Sequence, residues 1–213
     1  GIDVDRIDGV PPVNVHEALW LPHHAPVVGN VAALVPHKGQ RYLIEAAHLV
    51  VRQVPDARFV ILGEGELHEH LQHLIREHHL EKHVLLAGFR TDVIGCIKGF
   101  DLFVMSSVTE GLGTSILDAM ACRKAVVGTS TGGIPEVVAD GHTGTLVEPR
   151  DSRALADAIV RLLTDEGRRH AMATAGYARV RERFTVERMV AETAAVYARL
   201  AGLPHHADGP REA

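Results

Sequence analysis

Short apolar segments alternate with amphipathic segments through the middle of the chain. The apolar segments are rich in Val, Leu and Ile and predict β-strands at 27–35, 58–62, 84–86, 101–105, 125–127 and 144–147. Between them, the spacing of apolar residues predicts helices at 40–54, 66–79, 91–99 and 115–122. Short strands separated by helices are typical of a parallel sheet with helices on both faces. We therefore predict a Rossmann-like α/β domain.

The two ends of the chain differ from this middle part. Residues 1–26 contain four prolines and no clear period, which indicates a connector or a wrapping segment. After residue 147 the pattern is helical only, with helices predicted at 152–164, 167–183 and 186–200. We expect one domain at 27–201 with a helical carboxyl-terminal part, followed by a flexible tail at 202–213 that is rich in Pro, Gly and His.

Composition and charge narrow the class of protein. The 213 residues are 46% apolar and 23% charged, which suits a globular domain with an aliphatic core. The net charge of −5 is scattered, so the chain has no basic surface for nucleic acid. No apolar run approaches the ~20 residues that a transmembrane helix needs. The cysteines, Cys96 and Cys122, are interpreted as free thiols in a reducing compartment, and we predict a cytoplasmic location.

The segment that follows the predicted strand 101–105 has the residues of a phosphate-binding loop. Gly111 and Gly113 let the backbone approach a ligand, because glycine has no Cβ. Thr114 or Ser115 is placed to cap the next helix, whose first amides would then point into the crevice beyond the sheet. A helix start of this kind binds anions. The simpler alternative is a capped helix after a glycine turn.

Two carboxylates, Glu110 and Asp118, stand on either side of this helix start. A carboxylate accepts hydrogen bonds from neighbouring hydroxyls, so both suit a polyol. The pattern therefore predicts a ligand with phosphate in its middle and hydroxyls at both ends. The alternative is that both carboxylates are simply exposed to solvent.

Two further segments follow predicted strands and reach the same edge of the sheet. Lys38 comes just before a helix, and its ammonium group could stabilise a phosphate, although a solvated Lys is the simpler interpretation. Gly132 and Gly133 offer free N–H groups or, alternatively, form a tight strand-to-helix joint. In the predicted helix 91–99, Asp92 is expected to accept first-turn amides.

Two other patterns are rejected as functional motifs. Gly63 and Gly65 begin a dinucleotide-binding pattern, but the third position holds His68, which argues against a nicotinamide cofactor. Gly63 remains a candidate loop residue near the crevice. His70, His73 and Glu77 have metal-like spacing on one helical face, but a solvated face away from the crevice is favoured.

Taken together, these segments resemble the carboxyl-terminal, donor-binding domain of the family 4 retaining glycosyltransferases, which have two Rossmann-like halves in the GT-B fold. The resemblance covers nearly the whole chain and is carried by residues 34–39, 62–65, 87–93, 110–113, 118–121 and 132–138. It implies a nucleoside-diphosphate sugar as donor, a UDP-sugar first among them, with no metal ion or further cofactor.

The resemblance also implies roles for individual residues. Glu110 and Lys38 are the expected catalytic residues, beside the donor sugar and the diphosphate, and Asp118 is expected to hold the ribose hydroxyls. Further donor contacts are expected at Gly111, Leu112, Gly113, Thr114, Ser115, Gly88, Phe89, Arg90 and Gly63. The base would be recognised at 88–90.

Three residues depart from the family pattern. Asp118 replaces a Glu, Ala33 stands where an Arg usually helps neutralise the diphosphate, and Ser106 replaces a Pro. The resemblance further implies an amino-terminal acceptor domain that this chain lacks, peripheral membrane association of the full enzyme, and weak or no transfer by this domain alone. A non-catalytic nucleotide-sugar-binding module and a nucleotide-sugar epimerase of the same fold are the alternatives.

Overall fold

The computed structural model describes residues 1–201, so the tail predicted at 202–213 lies outside the described residues. Its six strands form one parallel sheet in the order β3-β2-β1-β4-β5-β6. The strands are β1 (Val27–Val31), β2 (Arg58–Leu62), β3 (Val84–Leu86), β4 (Leu102–Met105), β5 (Ala125–Thr129) and β6 (Thr145–Val147). This order confirms the predicted Rossmann-like sheet.

Ten helices surround the sheet in the described part of the chain. They are α1 (Val4–Gly9), α2 (Val15–Ala18), α3 (Gln40–Val50), α4 (His68–Glu77), α5 (Val93–Gly99), α6 (Thr114–Ala121), α7 (Ile134–Val137), α8 (Ser152–Thr164), α9 (Glu166–Arg183) and α10 (Val186–Leu200). A short 3-10 turn, Pro36–Lys38, precedes α3. Within residues 1–201, no helix combines the length and the hydropathy that crossing a bilayer requires.

The core has two parts, one on each face of the sheet. Side chains of α3, α4 and α8 cover one face, and those of α1, α5, α6 and α7 cover the other. Alternate residues of each strand serve the two parts, because successive side chains of a strand point to opposite faces. In β4, Leu102 and Val104 join the first part, and Phe103 and Met105 join the second. This confirms the prediction that helices cover both faces.

The strand order places the ligand-binding edge of the fold. The chain runs from β1 outward to β3 and then returns to the centre at β4, beside β1. Loops from neighbouring strands diverge at such a switch point and leave a crevice beyond the carboxyl ends of the strands. The turn after β1 carries Lys38 and the loop after β4 carries Glu110.

Several predicted boundaries were wrong in detail. β1 ends at Val31 and not at residue 35, because the amide of Val35 donates to the carbonyl of Ala33 in a turn before Pro36. β5 continues to Thr129, paired with Val147 of β6. α5 begins at Val93. The prediction that the Asp92 side chain accepts a first-turn amide was wrong, because this side chain makes no capping hydrogen bond.

Residues 1–26 wrap against the sheet face that carries α5 and α6. Val4, Ile7 and Val15 are buried there. The ammonium group of Lys98 donates to the carbonyls of Ile7, Asp8 and Val10 at 2.7, 3.1 and 2.6 Å. These carbonyls lie at or just beyond the end of α1, where most helical partners are missing, although that of Ile7 also accepts the amide of Val10 at 3.1 Å. Lys98 therefore satisfies them and anchors the segment.

Candidate functional site

An ion pair between Lys38 and Glu110 lies at the centre of the crevice edge. Lys38 Nζ and Glu110 Oε2 are 2.7 Å apart, and the side chains are 20% and 10% exposed. The two loops are bonded to each other, because the amide of Val108 donates to the carbonyl of His37 at 2.8 Å. Gly39 has a φ of +66°, and a Cβ there would lie 2.2 Å from the carbonyl oxygen of Ser106, so only glycine allows this approach.

Two more hydrogen bonds hold the carboxylate of Glu110. Ser107 Oγ donates to Oε2 at 3.0 Å, and the amide of Gly111 donates to Oε1 at 3.1 Å. Burial alone raises the pKa of Glu110, but the bonds from Lys38 and Ser107 outweigh it, so the pKa lies below its ordinary value. Glu110 is therefore a fixed carboxylate at neutral pH. Lys38 has three N–H donors, so it can stay paired and still bind a phosphate oxygen.

The start of α6 is open to an anion. Gly113 is the N-cap, with a left-handed φ of 75°, and no side chain caps the helix. The prediction that Thr114 or Ser115 caps it was wrong, because both already lie inside the first turn. The amide of Ile116 already donates to the carbonyl of Gly113 at 2.9 Å, whereas the amides of Thr114 and Ser115 have no acceptor within the helix and are left for a ligand.

The pair Gly132 and Gly133 forms a tight joint against this loop. The amide of Gly133 donates to the carbonyl of Gly111 at 2.6 Å. The interpretation that this amide is free for a ligand was therefore wrong, and the alternative of a tight joint is confirmed for Gly133. A Cβ on Gly132 would lie 1.7 Å from the carbonyl oxygen of Glu110. The two glycines thus let the turn after β5 press on the loop that holds Glu110.

Asp118 faces a different part of the edge. It lines a cavity of about 510 Å³ together with Thr91, Val93 and other residues of the segments 1–10 and 91–95. Burial raises the pKa of Asp118 to about 6. A carboxylate that is half-desolvated and lacks a hydrogen bond within residues 1–201 is suited to accept hydroxyl donors from a ligand.

The segment 88–90 follows β3 and lies between Lys38 and Glu110 in the sequence. Gly63 donates its amide to the carbonyl of Gly88 at 2.8 Å, which joins the turns after β2 and β3. Phe89 is 70% exposed, so its ring is available for stacking on a planar base. Arg90 is held by Asp92 through two bonds of 2.8 and 2.6 Å, and this partner raises the pKa of Arg90.

The surroundings of Ala33 and of α4 bear on two further interpretations of the sequence. Ala33 is exposed two residues beyond the end of β1, in the turn that leads to Lys38. Within residues 1–201, no three His, Cys, Asp or Glu side chains lie close enough together to hold a metal ion. His70, His73 and Glu77 therefore do not form such a group. However, His70 borders a cavity beside His37, so its helix does not lie away from the crevice edge as predicted.

Small hydroxyl side chains, to which the sequence pattern gave no role, hold the loops of the site together. Besides Ser107, the Thr129 hydroxyl donates to the carbonyl of Ser107 at 2.6 Å, and the Thr131 hydroxyl donates to the carbonyl of Val108 at 3.0 Å. Ser106 donates to the carbonyl of Lys38 at 3.3 Å. The sequence does contain a signal for these contacts. Small hydroxyl residues follow β4 directly, and others stand at the end of β5 and just after it.

Comparison with known proteins identifies the family of this chain. The family model described as "Glycosyl transferases group 1" matches residues 14–179. A GDP-mannose-dependent phosphatidylinositol monomannoside mannosyltransferase of Mycolicibacterium smegmatis is 36% identical over 83% of this chain and 49% of its own length. The putative glycosyltransferase EpsD of Bacillus subtilis is 34% identical over 78% of this chain and 43% of its own length. The chain thus spans about half the length of these relatives.

Solved structures show the same fold. HepE of Anabaena, in complex with UDP and glucose, has a TM-score of 0.83 and 27% identity over 95% of this chain and 56% of its own. The carboxyl-terminal domain of a group 1 glycosyltransferase, LpcC of Francisella tularensis, has a TM-score of 0.77 and 27% identity over 87% of this chain and all (100%) of its own. The chain has the Rossmann-like fold of one half of a GT-B enzyme and belongs to the group 1 family of glycosyltransferases.

Proposed function

We propose that this chain binds a nucleoside-diphosphate sugar, a UDP-sugar first among them, and forms the donor half of a retaining glycosyltransferase. The observation that carries the proposal is the position of the Lys38–Glu110 ion pair beside the uncapped start of α6. A cation and a helix N-terminus on one crevice edge suit a diphosphate, and a fixed carboxylate suits sugar hydroxyls. UDP in the HepE complex supports the choice of base.

In this proposal the chain stabilises the departing diphosphate. The bond between the anomeric carbon and the diphosphate breaks, and its electron pair goes to the phosphate oxygen. The acceptor hydroxyl forms the new bond on the same face of the sugar, and its proton leaves with the diphosphate. Lys38 and the first amides of α6 stabilise the developing negative charge, which is the role that a metal ion has in other transferases.

The remaining residues position the donor. Glu110 accepts hydrogen bonds from sugar hydroxyls, while Gly111, Leu112 and Gly113 bring the backbone close to the distal phosphate. Asp118 accepts hydrogen bonds from the ribose hydroxyls. The base lies along 88–90, where the exposed ring of Phe89 offers a stacking surface.

The complete enzyme in this proposal has a second domain that binds the acceptor and closes over the crevice. Closure would bring the acceptor hydroxyl to the donor and exclude water. This chain by itself is then expected to bind the donor weakly and to transfer little sugar. A cytoplasmic location with peripheral membrane contact remains part of the proposal for the full enzyme.

One observation favours a second candidate, a nucleotide-sugar-binding module without transfer activity. Ala33 leaves the diphosphate with one cation fewer than the family pattern provides. Since charge stabilisation in the transition state is a large part of such catalysis, its loss reduces transfer more than binding. An assay that measures hydrolysis of the donor sugar by the full-length protein, with water as the acceptor, would distinguish the two candidates.

Thermal-shift and calorimetric titrations with UDP, GDP, ADP and their glucose or mannose derivatives test the donor site. We expect UDP and a UDP-sugar to bind the wild-type chain. Lys38→Met should weaken the binding of both at least tenfold, and Glu110→Gln should weaken the binding of the UDP-sugar at least tenfold. Lys82→Met and Glu81→Gln are matched controls, because both side chains are exposed outside the crevice. Unchanged binding in Lys38→Met and Glu110→Gln, with folding verified by circular dichroism, would remove the site assignment.

A further inference from the structure

A second cavity opens beside the donor crevice, between the starts of α3 and α4. It has a volume of about 500 Å³, which is within the usual range for small-molecule sites. Its wall includes His37 and Gly39 on one loop and Val108 and Thr109 on the other, so it adjoins the backbone on both sides of the Lys38–Glu110 pair. The side chains of Lys38, Glu110 and Asp118 do not line it, and it is therefore separate from the donor contacts. We call it the α3–α4 cavity.

The charge of the α3–α4 cavity is one-sided. Its rim carries Arg41, Arg150, His37 and His70, and none of the described residues that line it is Asp or Glu. Behind the wall, Glu45 accepts a bond from Arg41 at 3.1 Å and another from Ser152 at 2.6 Å. Glu45 therefore neutralises and orients Arg41, and Arg150 supplies the net positive charge.

Arg150 is held in an unusual conformation. Its φ is +68°, in the left-handed region that residues with a Cβ rarely adopt. Within residues 1–201 its guanidinium group pairs with no carboxylate, although it stands at the rim of the cavity. Backbone strain of this kind is concentrated at ligand-binding sites, and an unpaired guanidinium group is a fork of donors for an oxyanion.

The interior of the cavity differs from its rim. Leu67, Leu71 and the ring of Tyr42 give it an apolar wall. Gln40, only 1% exposed, donates its Nε2 to the carbonyl of Ala33 at 2.8 Å, while its Oε1 has no partner among the described residues. A ligand that fits must carry negative charge at the rim and an apolar body inside, and a hydroxyl on that body can donate to Gln40 Oε1.

We propose that the α3–α4 cavity is a second binding site, which takes a small phosphate monoester with a cyclic or apolar body. The phosphate oxygens lie against Arg150, with Arg41 and the imidazoles of His37 and His70 beside them. A phosphate monoester carries between one and two negative charges at neutral pH, and the guanidinium group of Arg150 offers it a positive partner with several N–H donors. The body of the ligand packs on Leu67, Leu71 and Tyr42.

Calorimetry with phenyl phosphate tests the site, with phenol and inorganic phosphate as its separate halves. We expect phenyl phosphate to bind the wild-type chain more tightly than either half does, and Arg150→Gln to weaken this binding at least tenfold. Arg153→Gln is the matched control, since Arg153 is an exposed Arg three residues away that does not line the cavity. UDP titrations of the same variants are expected to agree with the wild type within twofold.

The Glu110→Gln variant separates this proposal from the donor site. It is expected to weaken UDP-glucose binding while phenyl phosphate still binds as in the wild type. Any of three results would overturn the second site. These are phenyl phosphate binding that depends on Glu110 and not on Arg150, equal losses of binding in Arg150→Gln and Arg153→Gln, and no binding at millimolar concentration. If the wild-type chain binds phenyl phosphate but not UDP or UDP-glucose, only the donor proposal is contradicted.

Discussion

The variant Asp118→Asn should fold more stably than the wild-type chain at neutral pH, although it removes a residue of the proposed donor site. Burial raises the pKa of Asp118 from 3.8 to about 6. The native state therefore binds a proton more tightly than the unfolded state does. Asp118 contributes stability below pH 3.8 that is lost as the pH rises to about 6, and above this window its charge is a constant cost.

The magnitude follows from the size of this shift. A rise of the pKa from 3.8 to about 6 corresponds to about 3 kcal/mol of unfolding free energy at neutral pH. An Asn side chain carries no charge but still has a buried amide, which costs about 1–2 kcal/mol when its hydrogen bonds are incomplete. We therefore expect Asp118→Asn to raise the free energy of unfolding by about 1–2 kcal/mol at neutral pH.

Urea denaturation followed by far-ultraviolet circular dichroism measures this difference across pH. The advantage of Asp118→Asn should be largest above pH 6 and should shrink as the pH falls toward 4. Asp157→Asn is the control, because this side chain is exposed on α8 and should give a small, pH-independent difference. A variant that is less stable at neutral pH, or whose difference from wild type is the same at all pH values, would refute the reasoning.

Three further predictions concern the donor site. The affinity for UDP-glucose should rise as the pH increases through about 6, because ribose hydroxyls bind the ionised form of Asp118, and calorimetry of Asp118→Asn should show no such rise. Gly132→Ala should lower the free energy of unfolding by about 2 kcal/mol or more, because its Cβ would meet the carbonyl of Glu110; an unchanged urea midpoint would contradict this. Ala33→Arg should tighten UDP binding about tenfold by adding a cation beside Lys38, and equal affinities for wild type and variant would argue against a diphosphate at this edge.

Much of the fold could be predicted from local patterns in the sequence. The alternation of apolar runs with helical spacing indicated the parallel sheet, because side-chain periodicity is a local property of strands and helices. The position of ligand-binding residues after the strands followed from the parallel sheet itself. The boundaries of β1 and α5 were less accurate, since hydrogen bonds of single turns, such as that from Val35 to Ala33, leave little trace in periodicity.

The sequence by itself determined the candidate residues of the donor site, including Lys38, Glu110 and Asp118, but only the tertiary structure decided how they are used. Lys38 and Glu110 are 72 residues apart in the chain, and their ion pair depends on β1 lying beside β4. Asp118 has a raised pKa because of the residues that bury it, which include the distant segment 1–10. Local sequence specifies which groups stand at the ends of strands. The register of the sheet and the desolvation that packing produces decide which of these groups meet and in which charge state.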